Sequence, residues 1–302
     1  MRRAKDCSNA VAGASAASRA DGTPAKLELR GVTQRYGGAQ DETVALSGMD
    51  LRVEAGESVA LLGPSGCGKS TSLLIACGLR RPSEGSVLVD GAPLREPRLE
   101  TGLILQDFGL MPWKTVEQNA ALGLQVRRVA KRERVRRAHE ALRRVGLEAF
   151  AKAYPSELSG GMRQRLAMAR VLACDIDLLL MDEPLSALDA LLREEMQNML
   201  KSCWREAGYA QVIVTHSIEE AVFLGQRIVV MAPRPGRVAA VLDNPEASCD
   251  GWRDAPLFFE RCRAIRAVLR DVAAMADAGV GEPEASSRAA WGATERKGAS
   301  HA

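Results

Sequence analysis

The chain has 302 residues, 46% hydrophobic and 26% charged, an ordinary balance for a soluble globular protein and enough for one large domain or two modest ones. A formal net charge of +3 is too small to imply a nucleic-acid partner, and seven scattered cysteines without a C-x-x-C pair suggest neither a zinc site nor a disulfide framework, which fits a reducing cytosol. No apolar run approaches the length of a membrane span and the N-terminus lacks the apolar core of a signal peptide, so any work at a membrane is expected from outside the lipid.

Residues 1–26 are small, polar and aperiodic and read as a disordered tail. Further on, short apolar runs such as "SVALLG", "LLLMDEP" and "VIVTHS" alternate with longer stretches at helical spacing, which predicts an α/β layout with a buried sheet. The first run, a strand over Val59–Leu62, leads into "GPSGCGKST" and then a helical segment, the context that a phosphate-binding loop requires. Gly63, Gly66 and Gly68 let the backbone curl until its N–H groups face phosphate oxygens. Lys69 adds a cation, and the Ser70 hydroxyl is a magnesium ligand. Pro64, Ser65, Cys67 and Thr71 complete the loop and enter the candidate nucleotide contacts. Cys67 is expected to be alkylated readily, and to be protected by bound nucleotide.

"TGLILQ" ends at Gln106, and a helix-rich block of different character runs from about residue 107 to 160. Within it Val135, Ala138, Leu142 and Val145 line one helical face, Gly146 suits a C-cap, and the many arginines read as a solvated face. The block ends on "ELSGGM", where Ser159, Gly160 and Gly161 precede a basic amphipathic helix. That turn is either a plain N-cap or, through free N–H groups and the helix dipole, an anion site. The strand "LLLMD" delivers Asp182 to hold magnesium through water, followed by Glu183 as candidate general base. His216 follows the strand "QVIVT", and both His216 and Gln106 are placed to sense a γ-phosphate or its attacking water. A C-terminal helical extension covers 241–278, with one plausible helix in "APLFFERCRAIRAVLRDVAAM", and 279–302 reads as a second disordered tail.

Gly63–Ser70, Gln106, "LSGG" at 158–161, "LLLMDE" at 178–183, "SALD" at 186–189 and His216 stand in an order that resembles the ATP-binding cassette (ABC) ATPases across about residues 27–240. The resemblance implies a RecA-like P-loop core, an inserted helical subdomain, an N-terminal antiparallel β part and a head-to-tail dimer. ATP and Mg2+ are the implied ligands. It makes Glu183, His216, Gln106 and Lys69 the catalytic group, places Ser70, Gln106 and Asp182 around the metal, and turns Ser159–Gly161 toward the γ-phosphate of ATP held by the other subunit. Tyr36 in "TQRYGG" matches the family's adenine-stacking aromatic and Asp189 its aspartate at the dimer seam. Met162 and Leu185 depart from the commonest residues there, Gln and Phe, without touching the gripping groups.

The stretches "QDFGLMPWKTVEQNAALGL" and "VTHSIEEAVFLGQRIVVMAPRPGRV" are similar to importers of the nitrate, aliphatic sulfonate and taurine group. That likeness implies two copies of this ATPase on the cytoplasmic face of the inner membrane, two permease subunits, and a periplasmic binding protein that meets the chain only indirectly. Leu110, Met111, Pro112 and Trp113 are either a groove for a permease helix or core. The alternative class is a soluble cassette ATPase acting on nucleic acid or ribosomes, which the single cassette and the short stretch between Gln106 and Ser159 disfavour. A P-loop kinase predicts neither "LSGG" nor His216.

Overall fold

The computed structural model describes residues 24–38, 41–186 and 188–277. Apart from 24–26 the two expected tails lie outside them. Ala25 is buried, and the Lys26 ammonium pairs with Asp90 and Asp177 at 2.9 Å each, so ordered structure begins before residue 27.

Two sheets carry the fold. Strands β1 (Leu27–Tyr36), β2 (Thr43–Val53), β4 (Glu84–Val89) and β5 (Ala92–Pro93) form an antiparallel sheet in the order β2-β1-β4-β5. The second sheet runs β10-β9-β3-β8-β7-β6, using β3 (Ser58–Leu62), β6 (Thr101–Ile104), β7 (Leu178–Asp182), β8 (Ala210–Thr215), β9 (Arg227–Met231) and β10 (Val238–Asp243). It is parallel except for the edge strand β10. β10 extends past residue 240, so the sheet takes residues that the helical extension was expected to begin with; ladder pairing to β9 continues as far as Asp243 opposite Arg227.

The continuous apolar runs follow from burial on both faces. Val59 and Leu61, Leu178 and Leu180, and Val212 and Val214 point into a core shared with the antiparallel sheet. Their alternates Ala60 and Leu62, Leu179 and Met181, and Ile213 enter a second core with the helices. That second core includes Ala138, Ala141 and Leu142 of the helix Lys131–Arg144, which ends with Gly146 at φ 68° as a left-handed cap. The helix Pro256–Asp277 buries Phe258, Cys262 and Ile265 in the same core and packs on the helix Ile218–Leu224.

Because β3, β6, β7 and β8 run in parallel and in register, their C-terminal ends open on one edge of the sheet. In this topology that edge is where ligands bind.

Candidate active site

The P-loop connects β3 to the helix Lys69–Ala76 across this edge. Its N-cap Gly68 sits at φ 89°, and a Cβ there would lie 2.5 Å from Leu46 Cδ2 and 2.8 Å from the Ala45 carbonyl oxygen. Only glycine satisfies both the left-handed backbone and that approach. The helix has no side-chain cap, so no side chain satisfies its first backbone N–H groups, the condition under which a helix start accepts an anion.

A cleft of about 670 Å³ lies over this turn. Ser65, Gly66, Gly68, Lys69, Ser70 and Thr71 form its floor, Gln106, Glu183 and His216 one wall, and Tyr36 stands on the other side. Ten of the sequence-predicted residues therefore converge. Tyr36 donates or accepts across 3.2 Å to the Thr71 hydroxyl, and the Arg80 guanidinium covers one ring face at 4.9 Å from the centroid. Gln106 is exposed and lies beyond the end of β6 at Ile104, in the turn that follows rather than at the strand terminus.

The remaining predicted residues sit around this cleft. Gly63 and Pro64 line a smaller cavity of about 260 Å³ together with His216, Pro233, Leu269 and Val272, so the C-terminal helix reaches the back of the catalytic edge. The Lys69 ammonium is buried and donates to the Gly63 and Pro64 carbonyls, both at 2.8 Å. Cys67 turns inward and is 1% exposed; burial pushes its thiol up, against the opposing Lys69 charge. This overturns the expectation of a readily alkylated thiol, because the reactive form is a thiolate and the sulfur is shielded.

Asp182 ends β7 beneath the cleft, 5% exposed, and the Ser70 hydroxyl donates to it. Burial pushes the Asp182 carboxyl up; Ser70 opposes the shift, the Glu183 charge adds to it, and Lys69 opposes it. A hydroxyl and a carboxylate in contact are hard oxygen donors suited to magnesium, which takes one or two carboxylates and completes its shell with water and phosphate.

Glu183 follows at φ 48°, a left-handed conformation rare for a residue with a side chain. Its N–H donates to the Val214 carbonyl at 3.0 Å, continuing the β7–β8 ladder and fixing the strained turn. Strain of this kind collects at functional sites, where surrounding structure enforces it. It aims the carboxylate so that Oε1 lies 3.3 Å from His216 Nδ1. His216 is positioned in turn by a buried network behind it: the Thr215 hydroxyl donates to Glu220 Oε2 at 2.9 Å and accepts from the Ser217 N–H at 3.0 Å.

Ser159, Gly160 and Gly161 do not line this cleft. Ser159 is the N-cap of the helix Gly160–Leu172, its hydroxyl accepting from the Met162 N–H at 3.3 Å. Asp189 likewise caps Ala190–Ala207, accepting from the Leu192 N–H at 3.0 Å.

Sequence reading missed two arginines. Arg170, near the end of the helix that Ser159 opens, donates to the Phe108 and Gly109 carbonyls at 2.7 and 2.6 Å and so ties that helix to the loop after Gln106. Arg234, in the turn between β9 and β10, lines the cleft itself. The quoted "APRPGRV" carried the second, but nothing local indicated where its turn folds.

Known proteins share this architecture. The ABC transporter family matches residues 46–186. An uncharacterized ABC transporter ATP-binding protein of Methanocaldococcus jannaschii is 42% identical over 250 residues, covering 82% of this chain and 92% of the relative. A taurine import ATP-binding protein of Burkholderia pseudomallei is 46% identical over 216 residues, covering 72% of this chain and 83% of the relative. A solved dimeric ATP-binding cassette in a post-hydrolysis state, bound to ADP and Pi, is 35% identical with a TM-score of 0.67, covering 72% of this chain and 98% of its own. Sheet order, cleft and relatives agree: the chain belongs to the ABC transporter family, as one of its ATP-binding subunits.

Proposed function

We propose that this chain hydrolyses ATP to power a bacterial importer of a small anion such as nitrate, a sulfonate or taurine, acting as a head-to-tail dimer against the cytoplasmic face of the inner membrane. The observation that carries the hydrolytic part is Glu183, held in a strained turn with its carboxylate 3.3 Å from His216 Nδ1 at the rim of the P-loop cleft. The import part rests on the taurine import relatives and on the likeness of the stretches after Gln106 and around His216.

In the proposed reaction a water oxygen bonds to the γ-phosphorus and the bond to the oxygen bridging to ADP breaks. The water proton passes to Glu183, and ADP and inorganic phosphate leave. His216 orients the Glu183 carboxylate and the γ-phosphate oxygens. Lys69 and the P-loop N–H groups stabilise charge on the phosphates, and Tyr36 offers its uncovered ring face to adenine. Ser70, Asp182 and Gln106 would hold Mg2+, which when bound neutralises phosphate charge and polarises the group transferred.

The dimer reading draws on Gly160. It opens its helix without a left-handed backbone, and a Cβ added there would meet nothing within 4 Å. No contact among the described residues demands a glycine, whereas close approach by a neighbour's phosphate does. A permease contact is supported by Trp113, 70% exposed, which removes this side chain from the core reading. The loop that carries it is braced by buried Asn119, which accepts from the Met111 N–H at 2.8 Å and donates to the Lys114 carbonyl at 2.9 Å. Phe150 and Tyr154 are exposed on the neighbouring segment, which backbone bonds join to 116–117. No helix among the described residues is long and apolar enough to cross a membrane, so attachment would run through such a surface. A periplasmic binding protein would deliver the substrate to the permease.

Affinity purification of the chain from gently solubilised native membranes, read by mass spectrometry, tests the assignment. Recovery of a polytopic permease is expected; recovery only from the soluble fraction, with ribosomes or nucleic acid, would leave the ATPase and remove the transport role.

A further inference from the structure

Lys69, the cation that a P-loop supplies, is shared with two backbone carbonyls of the loop itself, and the nearby carboxylates of Asp182 and Glu183 add negative charge. A second cation, Arg234, lines the same cleft. The turn between β9 and β10 is held between β2 and the P-loop: the Gly236 N–H donates to the Ala45 carbonyl of β2 at 2.9 Å, the Ser47 N–H of β2 donates back to the Gly236 carbonyl at 2.9 Å, and a Cβ on Gly236 would lie 2.0 Å from the Cys67 carbonyl oxygen of the P-loop. This contact admits no side chain at 236 and sets the height of the turn over the loop.

Arg234 projects from that turn along the P-loop apex. Its Nε–H donates to the Gly66 carbonyl at 3.4 Å, and a guanidinium nitrogen would lie 3.6 Å from a Cβ at Gly66. The side chain is exposed and lines the same cleft as Glu183 and His216, and among the described residues it makes no ion pair with a carboxylate. Its single bond uses one of five donors and is long, so the fork is available to an anion in the cleft.

We propose that Arg234 is a further ATP-binding residue, a cation brought from outside the P-loop onto the terminal phosphate oxygens of nucleotide held in the same chain's cleft. A planar guanidinium pairs with two phosphate oxygens at once, which a lysine cannot reproduce. The proposal rests on reading this cleft as the ATP site.

Calorimetric titration of the full chain with MgATP and with MgADP tests it. Arg234→Ala is expected to weaken MgATP by about tenfold, near the lower end for one charge-assisted hydrogen bond, and MgADP by less than about twofold, with Arg234→Lys recovering part of the loss. Because the side chain is exposed, the thermal midpoint without nucleotide should stay put. Equal weakening of ATP and ADP would mean that Arg234 only props the loop, and unchanged ATP affinity would mean that it makes no contact; either result overturns the proposal. Failure of the unsubstituted chain to bind ATP would instead defeat the reading of the cleft.

Discussion

The P-loop and the turn at Ser159–Gly161 draw on the same residue types, serine and closely spaced glycines ahead of a helix, yet the fold completes them differently. At the P-loop helix the cap position is Gly68, no side chain satisfies the first N–H groups, and a Cβ would collide with backbone and Leu46. At the other helix the Ser159 hydroxyl satisfies the Met162 N–H, and Gly160 faces open space. The first turn is unfinished inside its own chain, so a ligand completes it. The second is already a sound cap: Gly161 is required inside the chain, where a Cβ would lie 2.9 Å from Leu188 and 3.0 Å from Leu192, whereas Gly160 meets none of the described residues and suits close approach from outside. Composition alone does not distinguish an anion cradle from a helix cap; what each turn packs against does.

Substitutions on each side of this comparison have different expected consequences. Glu183→Gln, beside the P-loop, should lower kcat by about 10²–10⁴ in a steady-state ATPase assay while nucleotide still binds. Full activity in that variant would remove Glu183 as the base. Lys69→Ala should raise the dissociation constant for MgATP about tenfold or more, since a charge-assisted contact is lost.

Glu220 sharpens the comparison from behind the cleft, because it supports the His216 loop without touching either turn. Its carboxyl is 4% exposed, and burial pushes it up to about 7, against the Thr215 hydrogen bond and the Arg193 and His216 charges and with a smaller push from Glu183. The native state therefore keeps a proton that the unfolded chain has released. Stability from this group is complete below the ordinary value of 4.5 and is lost as pH rises through about 7, a span worth roughly 3 kcal/mol. Chemical denaturation at stepped pH should show this decline, and Glu220→Gln should flatten it; an unaltered slope in the variant would assign the decline elsewhere.

Ser159→Ala gives the smallest effect on folding, about 1 kcal/mol for a lost cap, and should leave ATP affinity of the single chain unchanged. A matching loss of ATP affinity would place the turn in its own chain's cleft, against the contrast drawn here.

Much of this site is legible in the sequence because its positions follow from local rules. The runs at Ser58–Leu62, Leu178–Asp182 and Ala210–Thr215 are apolar throughout since both faces are covered, and each ends where a parallel strand delivers Gly63, Glu183 or His216 to the same edge. The antiparallel sheet is harder to read. β1 meets β2 with register shifts between Leu29 and Val32 and again around Gln34, so no strict alternation survives there, and only the family likeness brought that part into view. Arg170 and Arg234 were missed for a related reason: each acts through carbonyls 61 or more residues away, contacts that depend on how loops pack rather than on spacing. The inward turn of Cys67 is of the same kind, set by Gly63 and Lys69 around the sulfur.

The measurement that bears most directly on the contrast between the two turns is sedimentation of Glu183→Gln with MgATP, with and without Gly160→Asp in the same chain. Aspartate at that helix start favours the fold through the dipole, so the added change spares folding. The account predicts that Glu183→Gln forms an ATP-dependent dimer and that adding Gly160→Asp abolishes the dimer while each chain still binds ATP. A dimer that persists with both changes, or loss of ATP binding by the single chain, would contradict a signature turn that serves a neighbour's nucleotide.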